Sequence, residues 1–151
     1  MLPFSLIYGW ILWLRNKAFD WGILKSESPK IKTITVGNLS LGGTGKTPHL
    51  SYILTLLSQK NIAVLSRGYG RNTTGTLQVK QNSKVSDVGD EPLQFRRKFP
   101  DILVSVSENR TFAIPQLLME KPDLQTVLLD DAFQHRSIDP GLNILLTEYR
   151  Y

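Results

Sequence analysis

The most informative part of this sequence is a glycine-rich loop, which reads Gly37-Asn38-Leu39-Ser40-Leu41-Gly42-Gly43-Thr44-Gly45-Lys46-Thr47. Its end matches the phosphate-binding loop motif, although Ser40 stands where that motif has its first glycine. Glycines allow positive φ angles, so successive backbone N–H groups can turn towards phosphate oxygens at the start of the following helix. The alternative is a glycine turn beside an exposed lysine, which the strand–loop–helix context disfavours. The loop predicts a nucleotide site that includes Gly42, Gly43, Thr44, Gly45, Lys46 and Thr47, with the lysine on the β- and γ-phosphates and the Thr47 hydroxyl on Mg²⁺.

Strand-like and helix-like segments alternate on both sides of this loop. Strands are predicted at 31–36, 62–65, 76–79, 102–106, 126–129 and 143–146, and helices at 48–59, 91–98 and 109–120. The strand at 76–79 reads as an edge strand, those at 126–129 and 143–146 as buried, and Pro115 should kink or shorten its helix. The alternation predicts an α/β, P-loop NTPase-like fold over residues 30–151, with a mostly parallel sheet and helices on both faces. Because nothing after residue 146 would cover the last strand, we expect the chain to be the N-terminal part of a longer enzyme.

The N-terminal segment 1–25 differs from the rest in its apolar character. Residues 1–14 carry no charge and would span about 21 Å as a helix, less than the roughly 30 Å of a hydrocarbon core. They also lack the basic start and small-residue cleavage site of a secretory signal. Apolar residues on all sides, followed by Arg15, Lys17 and Lys25, predict a helix that lies in the cytoplasmic leaflet of a membrane. The alternative is a helix packed on the domain's own core.

Composition limits the classes of function that need to be considered. The chain has 151 residues, no cysteine, and 18 Lys+Arg against 13 Asp+Glu, which leaves a net charge of +5. The lack of cysteine excludes a disulfide scaffold, a cysteine nucleophile and a thiolate metal site within the chain. The positive charge favours anionic partners such as a nucleotide or phospholipid headgroups. Nucleic acid is the weakest candidate, because the basic residues are dispersed and no aromatic-rich binding motif accompanies them.

Acidic residues lie at the end of one predicted strand and at the start of one predicted helix. An apolar strand ends in Asp130 and Asp131, and at the carboxyl end of a parallel strand an acid faces the crevice of the phosphate loop, where it can hold Mg²⁺. Only one of the two can reach a metal directly if the strand continues, and the alternative is a turn-forming role. Asp90 and Glu91 begin a predicted helix, where sequence physics favours capping and dipole roles.

Three arginines follow predicted strands and therefore lie near the same crevice. They are Arg67, Arg71 and Arg110. Each can either hold a phosphate group or carry a solvated loop charge.

Four segments in this order resemble the tetraacyldisaccharide 4′-kinase family, whose members phosphorylate a lipid A precursor at the inner membrane. They are residues 37–48, 66–71, 88–92 and 130–136, the last reading DDAFQHR. The resemblance covers residues 1–150, and the last three motifs are more specific than the phosphate loop. Ala132 stands where the family commonly has glycine, and family members are about twice as long as this chain. The chain therefore resembles the N-terminal, phosphate-binding portion of the family.

The resemblance also implies roles for individual residues. Asp90 matches the acid that takes the proton from the attacking sugar hydroxyl. This role replaces the capping interpretation of Asp90. Glu91 matches the neighbour of that acid near the metal. The remaining matches are Lys46 and Thr47 at the nucleotide phosphates and Mg²⁺, Asp130 and Asp131 as metal-side acids, Gln134 and His135 as polar groups of the crevice, and Arg67, Arg71 and Arg110 as basic positions near phosphate.

The resemblance implies an Mg·ATP-dependent lipid kinase that acts on the 4′-hydroxyl of a tetraacylated glucosamine disaccharide phosphate. It also implies a location at the cytoplasmic face of the bacterial inner membrane. Two other functions stay open at this point. One is a P-loop NTPase that hydrolyses its nucleotide to drive a partner, and the other is a nucleotide-binding or membrane-docking module without catalysis.

Overall fold

A computed structural model describes residues 2–38, 45–57, 61–133 and 135–147, with side chains from residue 8 onwards. Eleven helices and strands are assigned in these ranges. In chain order they are α1 (Leu2–Asp20), β1 (Lys32–Asn38), α2 (Lys46–Leu56), β2 (Ile62–Ser66), β3 (Leu77–Gln78), α3 (Val85–Val88), α4 (Asp90–Lys98), β4 (Leu103–Val106), α5 (Arg110–Glu120), β5 (Thr126–Asp130) and β6 (Leu142–Leu146).

The strands form one six-stranded sheet in the order β3-β4-β2-β5-β1-β6. All neighbours are parallel except β3, which pairs antiparallel with β4 at the edge. This confirms the predicted mostly parallel α/β sheet. Strand β5 lies between β1 and β2, and Val36 of β1 is in register with Asp130 of β5. Because parallel strands end at the same edge of the sheet, the loop after β1 and the acids after β5 come side by side.

Helices cover both faces of the sheet, as the alternation of segments predicted. One core contains Leu50 and Leu54 of α2 and Phe95 of α4 against Val64 and Leu128 of the strands. The opposite core packs α5 against the alternate strand residues, and it contains Ala63, Leu65, Ala113, Leu117, Val127 and Leu129. Successive strand residues point to opposite faces, so each central strand supplies both cores.

The structure corrects one expectation about a single element and adds two observations. The last strand, β6, is an edge strand with exposed Leu142 and Leu145, so the prediction that it is buried was wrong. Pro115 does not shorten its helix, since α5 runs from Arg110 to Glu120 through it. The four-residue helix α3 was not predicted, because a single turn has too few positions for a periodic pattern.

The described side chains of α1 lie outside both cores. Trp10 and Trp13 are exposed by 66% and 50%, and Ile11 and Leu14 are exposed as well. No core residue comes from the described side chains of this helix, which does not fit the alternative of a helix packed on the domain's own core. Among the described helices, none combines the length and the apolarity needed to cross a bilayer.

Candidate nucleotide site

The start of α2 places the end of the glycine-rich loop at the carboxyl edge of the sheet. Gly45 precedes the helix with a φ of 76°, a left-handed conformation that glycine adopts without steric strain. Lys46 and Thr47 then form the first turn, where free backbone N–H groups favour an anion. The predicted ligands Gly42, Gly43 and Thr44 lie outside the described residues.

The lysine of the motif contacts the second acid of the pair after β5. Lys46 Nζ donates to Asp131 Oδ1 at 2.8 Å. Asp131 has a φ of 50°, and its N–H donates to the Val36 carbonyl of β1 at 3.0 Å. Aspartate tolerates this left-handed turn better than most residues. The turn at Asp131 therefore ends β5, is hydrogen-bonded to β1, and places the carboxylate of Asp131 beside Lys46.

A second contact joins α2 to the start of α4. Thr47 Oγ1 donates to Glu91 Oε1 at 2.6 Å. Asp90 beside it is exposed, and its carboxylate accepts the N–H of Glu91 at 2.9 Å. The capping position itself belongs to Gly89, whose φ is 90°. Asp90 thus lies at the open side of the site, and Glu91 points to the hydroxyl of the phosphate-loop threonine.

The first acid after β5 is buried beneath these contacts. Asp130 is 2% exposed, and its Oδ2 accepts a hydrogen bond from Ser66 Oγ of β2 at 2.9 Å. Burial raises the pKa of Asp130 to about 6, and the negative charges of Glu91 and Asp131 act in the same direction, whereas the Ser66 hydrogen bond and Lys46 oppose it. Asp130 therefore lies close enough to Glu91, Asp131 and Lys46 for their charges to change its pKa. Ser66 was not singled out from the sequence, although it ends a buried strand at the same edge.

Arg110 is placed differently from a phosphate-binding arginine in solvent. Its side chain is 2% exposed, and Nη2 donates to the carbonyls of Asp130 at 2.6 Å and Asp131 at 3.2 Å. Burial lowers its pKa to about 10, and the two carboxylates oppose that shift. The alternative of a solvated loop charge is therefore wrong for Arg110. The guanidinium supports the turn that carries the acidic pair, and a contact with phosphate stays a prediction.

The two arginines after β2 have different environments. Arg67 is exposed, whereas the Arg71 side chain is almost fully buried and pairs with Glu108, which follows β4, and with the Gly75 carbonyl. The solvated alternative is wrong for Arg71 as well. Glu108 was missed in the sequence because nothing but its position after a strand indicates a role. Phosphate contacts by both arginines stay predictions.

His135 lies further along the loop that follows the acidic pair. It lines a cavity of about 230 Å³ with Phe133 and Arg136. Burial lowers its pKa to about 4, and the positive charges of Arg110 and Arg67 act in the same direction, so the ring is neutral at pH 7. A neutral imidazole can donate one hydrogen bond and accept another. The neighbouring Gln134 lies outside the described residues.

The oxygen atoms at this edge fit the requirements of Mg²⁺ bound together with a nucleotide. Within the described residues no group of three His, Cys, Asp or Glu side chains forms a cation site. Three hard oxygen donors are available instead: Thr47 and Glu91, which are joined at 2.6 Å, and Asp130, whose pKa is raised in part by the charge of Glu91. Mg²⁺ in phosphoryl-transfer sites uses one or two carboxylates and completes its shell with phosphates and water.

A parallel sheet, a glycine-rich turn into a helix that begins with lysine and threonine, and acids on the neighbouring strand define the P-loop class of nucleotide-binding proteins. Within this class, the family model for tetraacyldisaccharide-1-P 4′-kinase matches residues 1–151, and the chain belongs to that family.

Similar proteins agree with this assignment. Two similar proteins are the tetraacyldisaccharide 4′-kinases of Bacteroides thetaiotaomicron and Flavobacterium johnsoniae. Their sequence identities to the chain are 50% and 51%, and each alignment covers 99% of the chain. The crystal structure of LpxK from Aquifex aeolicus in complex with ATP matches 95% of the chain with a TM-score of 0.83 and 40% identity. The chain spans 40–44% of the two curated relatives and 47% of the LpxK chain.

Proposed function

We propose that the chain forms the nucleotide-binding part of a kinase that transfers the γ-phosphoryl group of ATP to the 4′-hydroxyl of a tetraacyldisaccharide 1-phosphate. The observation that carries this proposal is the meeting of Lys46 and Thr47 with three acids, Glu91, Asp130 and Asp131, at one edge of the sheet. The names of the relatives and the ATP complex of LpxK support the substrates.

The roles of the residues follow from their positions. Lys46 would hold the β- and γ-phosphates, and the α2 N-terminus adds backbone N–H donors. Thr47, Glu91 and Asp130 would hold Mg²⁺, which neutralises phosphate charge when it is bound. Asp90 would accept the proton of the 4′-hydroxyl. At the same time the hydroxyl oxygen would bond to the γ-phosphorus, and the bond between that phosphorus and the ADP oxygen would break. Such transfer depends chiefly on alignment and charge neutralisation.

Both side chains of the phosphate-loop motif already have acidic partners before a nucleotide binds. Lys46 is held by Asp131 and Thr47 by Glu91. Phosphate oxygens would replace Asp131 at the ammonium, which leaves the Asp131 carboxylate free to face the metal side of the site. The contacts with Asp131 and Glu91 keep Lys46 and Thr47 ordered before ATP arrives and so reduce the entropy lost on binding.

The exposed face of α1 supports a location at the cytoplasmic face of the inner membrane. Its aromatic and aliphatic side chains are joined by Arg15, Lys17 and Lys25, which suit anionic headgroups. Deletion of residues 1–25 from the intact enzyme should reduce its sedimentation with vesicles that contain anionic phospholipid. Equal sedimentation of the shortened enzyme would contradict the membrane role.

The kinase assignment is tested with Lys46→Ala and Asp90→Ala in the intact enzyme. Each should lower the rate of lipid phosphorylation by about a hundredfold or more, because one loses phosphate stabilisation and the other loses the general base. Matched controls are Lys80→Ala and Asp101→Ala, which change exposed residues away from the site. Circular dichroism checks that all variants remain folded.

The fate of the γ-phosphate separates the kinase from an NTPase. With γ-labelled ATP, label should appear in the disaccharide lipid and not only as free phosphate. Wild-type enzyme that releases free phosphate without labelling the lipid would contradict the kinase assignment. Titration of the intact enzyme with ATP, beside this assay, separates binding from turnover.

A further inference from the structure

The last residue of the DDAFQHR motif contacts the N-terminal helix. Arg136 Nη1 donates to the Asn16 carbonyl at 2.9 Å, and Nη2 donates to Asp20 Oδ1 at 2.6 Å. The guanidinium carbon also lies 5.4 Å from the centre of the Phe19 ring. One side chain of the motif thus makes three contacts with the last turn of α1, where a cation also complements the helix dipole.

The chain segment after α1 is joined to the same part of the motif loop. Glu27 N–H donates to the Ser137 carbonyl at 2.9 Å, and Asp139 N–H donates to the Glu27 carbonyl at 3.0 Å. The Ser26 hydroxyl donates to the carbonyl of Arg136 itself. These bonds form a short parallel bridge between residues 26–28 and 136–139, so the end of α1 is held by both side-chain and main-chain contacts.

Two main-chain hydrogen bonds connect described residues on either side of Arg136. His135 N–H donates to the Ala132 carbonyl at 2.9 Å, and Ile138 N–H donates to the His135 carbonyl at 3.1 Å. Ala132 and Ile138 are buried. These bonds fix the main chain beside Arg136 relative to Ala132, the residue that follows the acidic pair.

We infer that Arg136 is a positioning residue that holds α1 in a defined orientation relative to the acidic pair, so that a lipid substrate in the membrane bound by α1 presents its 4′-hydroxyl to the phosphoryl-transfer site. This inference rests on the proposed function. The described side chains of α1 contribute no residue to either core, so the contacts at the end of the helix, including that of Phe19 with Arg136, are the ones that orient it. A reacting group displaced by about 1 Å can lower a rate by two orders of magnitude, so orientation of the helix matters for the chemistry.

The test measures lipid phosphorylation by the intact enzyme in phospholipid vesicles that contain the tetraacyldisaccharide 1-phosphate. Arg136→Ala should lower kcat for the lipid by about tenfold, because misaligned substrate still binds. The KM for ATP and the sedimentation with vesicles should stay unchanged, since neither the phosphate loop nor the exposed face of α1 is altered. Arg136→Lys retains the charge but not the forked geometry, so its kcat should lie between those of wild type and Arg136→Ala.

Asp20 provides a second route to the same contact. Asp20→Ala should lower kcat in the same direction, and the double variant Asp20→Ala/Arg136→Ala should be no worse than Arg136→Ala, because both changes remove one interaction. The matched controls are Arg97→Ala, which removes an exposed arginine, and Asp123→Ala, which removes an exposed hydrogen bond to Asn61 of 2.7 Å.

Hydrogen exchange gives a readout that does not depend on activity. In Arg136→Ala the amides of Trp21, Leu24 and Glu27 should exchange faster than in wild type, whereas those of β5 should not change. Unchanged kcat in Arg136→Ala with active wild type would overturn the positioning role, whether or not exchange is faster. Equal losses of ATP affinity and kcat would also overturn it, since they indicate general damage. Wild-type enzyme that phosphorylates no lipid would instead overturn the proposed function.

Discussion

The site at the sheet edge and helix α1 depart from the usual distribution of side chains in opposite ways. At the site, charged groups are buried, with Asp130 and Arg110 each 2% exposed. Along α1, large apolar groups are exposed, with Trp10 at 66%. Buried charges need partners, and the structure supplies Ser66 for the acid and two carbonyls for the arginine. The exposed apolar side chains of α1 are covered by none of the described residues, and an exposed apolar patch is typical of a binding face.

The largest effect on stability is expected from removal of the buried arginine. Arg110→Ala leaves two carbonyls without their donor, opens a cavity, and removes positive charge from beside Asp130. The free energy of unfolding should fall by roughly 3 to 5 kcal/mol, as when one partner of a buried charge contact is removed. Urea denaturation measures this, and Arg97→Ala on the exposed side of α4 should change it by less than about 0.5 kcal/mol.

The pH dependence of stability tests the burial of Asp130. Because its pKa is raised to about 6 in the folded state, the folded protein binds the proton more tightly than the unfolded chain does. Stability from this group is therefore present below the unfolded pKa near 3.8 and is lost as pH rises towards 6, by about 3 kcal/mol in total. Without Mg²⁺ or nucleotide, the difference in unfolding free energy between Asp130→Asn and wild type should increase from pH 4 to pH 7.

A constant difference across that range would show that Asp130 titrates normally. The difference between the two proteins is the quantity to follow, because Asp20 and Glu108 have lowered pKa values and change stability in the opposite direction. Both proteins contain these two acids, so their effect cancels.

A glycine in each region sharpens the contrast in packing. A Cβ on Gly37, at the end of β1, would lie 2.5 Å from the Cβ of Phe133 in the motif loop, whereas a Cβ on Gly9 of α1 meets nothing within 4 Å. Gly37→Ala should therefore destabilise the protein by about 2 kcal/mol, the usual result of overpacking. Gly9→Ala should leave the melting temperature equal or slightly higher, because alanine favours helix. Equal melting temperatures for the two variants would contradict the tight approach of the loop.

The smallest effect on stability is expected in α1 itself. Trp13→Ala should change the free energy of unfolding by less than about 0.5 kcal/mol, because the side chain is outside the cores. The same variant should bind phospholipid vesicles about tenfold or more weakly, since a buried aromatic side chain contributes roughly 1.5–3 kcal/mol. A large loss of stability would show that the tryptophan packs within the protein.

Much of the fold was predictable because local patterns specify the elements. The apolar run at 62–65 and the one at 126–129 became β2 and β5, with the ends displaced by one residue. Asn109 caps α5 through a hydrogen bond from the Phe112 N–H, in agreement with a helix predicted to begin there. The exposed edge strand β6 was not predictable in the same way, since a short segment with four apolar residues does not tell which strands flank it.

The sequence alone was sufficient for the class of fold, and it named the chemical groups of the candidate site, whose roles stay predictions. Glycine at the turn, lysine and threonine after it, and acids at a strand end are local features, and their chemistry does not depend on distant residues. The contacts of Lys46 with Asp131, of Arg110 with the acidic pair, and of Arg136 with α1 join residues 20 to 120 positions apart. They depend on the strand order and on the path of the loop after β5, which arise when the whole sheet packs and which no local pattern specifies.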